Sequence, residues 1–531
     1  MSDGIDSYEP PIRLRKPGRR RRSHTGWGAT LLVVILLGGG AFWWLTRDTY
    51  PLARLIPAGQ HYQLFADDVL TKRAKVAQSR LWQALPASLG WADVPQNLAR
   101  DFGMPEWVLN NLLPDQCYVS GNDLRSFGDV LFVTRTTRIG CLLAKVSRFL
   151  PKAEHDPAGG LHLRRLPEPG LYYAVRGRLL LVSPSRNALI RALTVRPEES
   201  LQDKAPEHWK VSGAEDLRGT IAPAPDDPLG RVFDSVSFAL RLDSASAKMK
   251  CRGVLRPDLA DRLGDLLAEV TPGTLRSPPE GMLRVSLNLG KPVQDLWAVA
   301  GQAVGKAELF GGLWEQWSTT PPDAPPGLPQ IATALLGPLG PGVRFSWRGV
   351  DLNEMVPVPE IVAVFDAVPE RLFEALAAIP PPPEGVQPWD TYPRYDAETK
   401  RVHVPMVGGP SIEPTAGPYG GALLVSSSRT VGDALLDRPP QDGTLSQQGN
   451  LYACVRLRPC VQTVNDVAAL FAEHNLLNPS LNDTLERVTR PLMDVSAVVD
   501  EISALAAYEK GALTADIHVA CTESGAKAPL E

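Results

Sequence analysis

The sequence predicts an α+β protein: one N-terminal transmembrane helix, then two tandem copies of an antiparallel sheet with helices packed on one face. Three observations carry this prediction. An uncharged apolar run follows a basic cluster near the N-terminus, short strand-like runs alternate with helical ones through the remainder, and one such unit occurs twice. The chain has 531 residues, well beyond the ~250–300 at which a single core stops growing, so more than one domain is expected.

Composition bounds the class before any motif does. Apolar residues make up 44% and charged residues 21% of the chain, an ordinary globular balance. Its 50 prolines are nearly double the usual share of roughly 5%, and a residue without an N–H belongs in loops, first helical turns and linkers. The formal net charge of -4 supplies no basic face of the kind nucleic acid requires, so no nucleic-acid partner is expected.

Positive charge clusters only in residues 1–25, read as a cytoplasmic basic tail containing Arg13, Arg15, Lys16 and Arg19 to Arg22. Behind it, Ser23 to Thr46 contains no Asp, Glu, Lys or Arg. About 20 helical residues cross a hydrocarbon core, so 26–46 reads as a transmembrane anchor. Trp27 would sit at one membrane interface and Trp43 and Trp44 at the other, where amphipathic rings are favoured. Basic residues stay inside, which places the N-terminus in the cytoplasm, the helix in a bacterial inner membrane, and the bulk of the chain in the periplasm. The alternative to this retained signal-anchor is a cleaved signal peptide, with Gly39 and Ala41 before the cut.

Six cysteines, Cys117, Cys141, Cys251, Cys454, Cys460 and Cys521, permit three disulfides in that oxidising compartment. Their spacing contains no C-x-x-C, so neither a zinc ribbon nor a redox pair is indicated. Small buried thiols on strands are the other reading.

The repeated unit is LLVSPSR, Leu180 to Arg186, which returns as LLVSSSR, Leu423 to Arg429. Each is preceded by a glycine, Gly177 or Gly420, and each leads into a helical run. Other segments recur in the same order. NNLLPDQCYVSG (110–121) is matched by TALLGPLGPGVRFSWRG (333–349), and the β-rich run into an amphipathic helix at 129–151 is matched at 360–380. HYQLFADDVL (61–70) is matched by GMLRVSLNLG (281–290). Recurrence in order is the mark of duplication, so the chain divides into repeat 1 over 56–275 and repeat 2 over 280–525, with proline-rich TPGTLRSPPEG between them.

An apolar strand ending in serine and turning into a helix resembles a nucleophile elbow. That turn requires small residues on both sides of the serine, G-x-S-x-G, whereas Leu181 and Ser185, or Leu424 and Ser428, flank these serines. Ser183 and Ser426 therefore read as helix caps, whose hydroxyls accept otherwise unpaired backbone N–H groups. Arg186 and Arg429 start those helices, at the end where a cation is unfavourable unless paired, and a nearby carboxylate is the expected partner. The eight histidines never fall at a metal-ligand spacing, and no phosphate-binding or dinucleotide glycine motif is present. No catalytic residue, metal or cofactor is indicated.

The order of strands, helices and glycine hairpins over residues 50–525 resembles uncharacterised bacterial families of membrane-anchored extracytoplasmic proteins built from a duplicated unit. That resemblance implies no activity. The leading expectation is a non-enzymatic envelope component that binds or scaffolds a partner protein; the alternative is a carrier or sensor whose sheet and helices enclose an apolar ligand such as a lipid, recognisable by a cavity lined by Leu, Val and Phe and too large for a packed core. A hydrolase is the third reading, and it requires a histidine within reach of Ser183 or Ser426.

Overall fold

The computed structural model describes residues 36–522 apart from 82–105, 203–214, 262–272, 293–336, 475–491 and shorter breaks of one to eight residues. Among the described residues of the first half, alternating apolar and polar runs make ten strands: β1 (Tyr62–Asp67), β2 (Gln116–Gly121), β3 (Leu131–Arg135), β4 (Glu154–Ala158), β5 (Leu161–Leu166), β6 (Leu171–Arg176), β7 (Leu179–Ser183), β8 (Leu217–Ile221), β9 (Phe233–Leu242) and β10 (Ser246–Leu255). The second half contributes β12 (Leu283–Asn288), β13 (Leu339–Asp351), β14 (Val358–Ala367), β15 (Arg394–Asp396), β16 (Arg401–His403), β17 (Thr415–Pro418), β18 (Ala422–Ser426), β20 (Leu451–Arg456), β21 (Val499–Glu509) and β22 (Ala512–Cys521). Two short strands, β11 (Gly273–Arg276) and β19 (Thr444–Gly449), pair separately.

These twenty strands form one antiparallel sheet. From one edge the order is β4, β5, β6, β7, β3, β2, β1, β8, β9, β10. It continues as β22, β21, β20, β12, β13, β14, β18, β17, β16, β15. The seam between the halves is β10 against β22, nine residue pairs from Ser246–Ala520 to Val254–Ala512. The register gives matching rows on the two sides of the seam. Phe65, Tyr118, Val133 and Leu181 lie side by side in one half, and Ser286, Arg344, Val364 and Leu424 do so in the other.

Among the described residues, helices α1 (Val69–Gln78), α2 (Glu106–Leu112), α3 (Arg138–Lys145), α4 (Arg186–Thr194), α5 (Pro369–Ala377), α6 (Arg429–Leu436) and α7 (Leu457–Glu473) pack around this sheet. They occupy both faces, and the leucine pairs of the repeated motif show why, because neighbouring residues on a strand point to opposite sides. Leu181 packs with Leu189 and Ala192 of α4, whereas Leu180 packs with Val108 and Leu112 of α2 and Leu143 of α3. Likewise Leu424 meets Val431 and Leu435 of α6, and Leu423 meets Leu372 and Leu376 of α5. Each fully buried leucine contributes roughly 1.5–3 kcal/mol relative to exposure.

Several expectations are corrected here. The fold is mostly β, one continuous sheet with helices on both faces, in place of two separate α+β units with helices on one face. The physical reason is the seam: β10 and β22 present edge N–H and C=O groups that must be paired, and each satisfies the other. Gly273–Arg276 of the proline-rich segment between the halves forms β11, which pairs with β19.

The transmembrane anchor is corrected as well. Trp27, the basic tail 1–25 and residues up to 35 lie outside the described residues. Residues 36–45 are helical. No helix among the described residues is long and apolar enough to cross a membrane. The integral single-pass membrane partnership and the inner-membrane localisation lose their basis with it. Trp43 and Trp44 are exposed at the end of that helix, which docks through the Leu45 carbonyl, the acceptor for Lys145 Nζ at 2.6 Å.

The disulfides are likewise corrected: all six cysteines are free thiols. In register, Cys251 lies opposite Phe238 and Ala515, and Cys454 opposite Arg284 and Ser503, so the sheet places neither beside another cysteine.

Candidate functional site

The repeated serine turns are the stretches whose sequence most resembles a catalytic site. Ser185 and Ser428, two residues beyond the expected caps, hold the N-cap positions: Ser185 Oγ accepts the Ala188 N–H at 3.2 Å, and Ser428 Oγ accepts that of Val431 at 3.4 Å. Ser183 and Ser426 are the last strand residues, each 1% exposed. Ser183 Oγ accepts the Ser185 N–H at 3.0 Å. The Ser426 hydroxyl donates to the Ser428 carbonyl at 2.8 Å and accepts its N–H at 3.3 Å. Assigning Ser183 and Ser426 as caps is therefore corrected: strand length moved the cap by two residues, and the buried serines tie down the turn leading to it.

Arg429 bonds Asp433 at 3.3 Å and Glu413 at 3.4 Å, carboxylates that offset its unfavourable place at a helix start. The motif glycines meet a backbone demand, since Gly177 and Gly420 have φ of 60° and 62°, a region other residues avoid. His403 lies in the row of Ser426, but Thr415 stands between them. Two strand spacings of about 4.8 Å put it far outside hydrogen-bond reach.

The cysteine thiols are all raised above their ordinary value, with burial the leading cause. Burial pushes the Cys117 thiol up to about 12. Cys454 receives an Arg284 Nη2–H bond at 2.8 Å, and Arg284 also bonds Glu501 at 2.9 Å. Burial still outweighs the guanidinium, and the Cys454 thiol is raised. Among the described residues no group of three or more His, Cys, Asp or Glu is placed to hold a metal ion.

The most extensive feature is the central sheet, from β8 to β13. Alternation splits it into two unlike faces. On one, Lys248, Lys250 and Arg252 of β10 stand in the rows of His518, Asp516 and Thr514. On the other, an unbroken row crosses eight strands: Leu217, Leu240, Met249, Ile517, Ala504, Ala453, Val285 and Phe345. At about 4.8 Å per strand this row is about 34 Å across. Every residue in it is half-buried; among the described residues none belongs to the buried clusters formed with helices α2 to α6, while α7 packs against β13, β20 and β21. The next row repeats the chemistry with Phe238, Cys251, Ala515, Ala506, Leu451 and Leu287. Ala453, Ala504, Ala506 and Ala515 adjoin one another across β20, β21 and β22, and their side chains are shorter than the surrounding Leu, Ile and Phe.

Periodicity in KMKCRGVL already marks β10 as two-faced. The breadth of the apolar surface was not legible, because it arises from strands far apart in the chain that only the seam brings together.

No protein-family model matches the chain, and no curated protein matches it. Solved structures described as crystal forms I, III and IV of TP0453 are similar over 42% of this chain and 88%, 88% and 87% of their own, at 9%, 7% and 11% identity. Their TM-scores are 0.26, 0.25 and 0.24, too low to decide fold or function.

Proposed function

We propose that the chain is a binding protein that carries or senses an apolar, lipid-like ligand on the central rows of its sheet. The observation that supports this is the half-buried apolar face running from Leu217 on β8 to Phe345 on β13. Large contiguous apolar surface is rare on soluble proteins unless something binds there. Protein interfaces carry about one hydrogen bond per 100–200 Å², and these two rows offer no side-chain polar group beyond the Cys251 thiol. An occupant without polar demands suits them better than a polypeptide, which shifts the balance from the scaffold reading to the carrier reading.

The test is titration of the purified chain with Nile red, a neutral apolar dye, together with mass spectrometry of organic extracts. Saturable dye binding is expected, weakened at least tenfold by Ile517→Lys and unchanged by Lys250→Ala on the polar face. Equal binding by folded I517K, or no binding by the folded wild type, refutes the proposal. Capture of a polypeptide that I517K abolishes would return the face to the scaffold reading.

A further inference from the structure

On the opposite face of the second half, a cavity of about 140 Å³ opens between β13, the end of α6 and the 277–280 segment. That is close to the ~150 Å³ of a cavity known to admit benzene. Three guanidinium groups line it, those of Arg344, Arg348 and Arg438, against the single carboxylate of Glu280. Tyr419 and Leu435 contribute apolar wall.

Arg344 is the informative member. Its side chain is 5% exposed, yet the matching row in the first half holds Tyr118 at this position, fully buried in an apolar cluster. The sheet therefore does not require arginine there to form. Arg344 lies 3.4 Å from Asp366 Oδ1, but that carboxylate is shared with Arg276 at 3.5 Å. Arg348 and Arg438 have no ion-pair partner among the described residues. Arg348 and Arg438 thus bring to the cavity positive charge that no ion pair among the described residues offsets, and guanidinium forks match the geometry of phosphate oxygens.

We propose that this cavity binds a small phosphate-bearing organic molecule, its phosphate held by Arg344, Arg348 and Arg438 and its apolar body set against Tyr419 and Leu435. The site is independent of the apolar face and lies on the other side of the sheet. Calorimetric titration with phenyl phosphate, inorganic phosphate and benzoate at constant ionic strength tests it. Phenyl phosphate should bind at least fivefold more tightly than either of the others. Arg348→Gln with Arg438→Gln, both at exposed positions, should weaken phenyl phosphate at least tenfold while leaving Nile red binding unchanged. Arg344→Lys, which keeps charge and removes the fork, should weaken it at least fivefold. Equal affinity for benzoate would overturn the phosphate assignment. An unchanged affinity in the folded double variant, or no binding by the wild type, would overturn the site.

Discussion

Replacing Gly432 with alanine tests how tightly α6 is seated on the sheet. A Cβ at that position would lie 2.0 Å from Thr415 Cγ2 and 3.1 Å from Ser426 Cβ. Carbon atoms prefer ~3.5–4.0 Å, so helix and strand must separate. Alanine gains about 1 kcal/mol in helix propensity, and overpacking a filled core costs about 1–3 kcal/mol. So close an approach puts the cost at the upper end, for a net loss of about 1–2 kcal/mol. Thr415→Ser removes the offending methyl while keeping the hydroxyl, which donates to the Val402 carbonyl at 3.1 Å. In urea unfolding followed by circular dichroism, G432A should be destabilised, and the double variant should recover about 1 kcal/mol relative to additivity. A G432A protein as stable as wild type, or strictly additive effects, would refute the packing argument.

Three further outcomes are expected. Ser185→Asp should leave α4 intact, since aspartate is a good cap, whereas Ser183→Asp buries a charge and should cost at least about 2 kcal/mol; equal melts for the two variants would restore the original cap assignment. His403 is held below its ordinary value first by burial and then by Arg429, with Arg394 acting in the same direction and Glu413 and Asp433 opposing. The unfolded chain therefore binds the proton first, so this residue's contribution to stability is present above pH ~6.5 and is lost as pH falls through the lower folded value. His403→Gln should flatten the fall in melting temperature between pH 7.5 and 5.5, and an unchanged slope would remove His403 as its source. With Cys117 raised to about 12, iodoacetamide at pH 8 should label it far more slowly in native than in urea-unfolded protein, and all six thiols should titrate after unfolding without reductant. Fewer than six would reinstate a disulfide.

Local chemistry was readable from the chain itself. The paired leucines before each serine announced a buried strand, the glycine before them a tight turn, and the serines a helix start, although the capping hydroxyl lies two positions further on. These are properties of residues within a few positions of one another, where backbone geometry alone sets direction and period.

Sequence alone thus determined the strands, the turns and the recurrence of LLVS with its serine and arginine. Only the tertiary structure decided that β10 and β22 join the halves into one sheet, that helices cover both faces, that the thiols stay apart, and that Arg344 is buried where Tyr118 stands in the other half. Those outcomes depend on which distant edges pair and in what register, and register is settled by backbone hydrogen bonds and packed surface across the whole sheet.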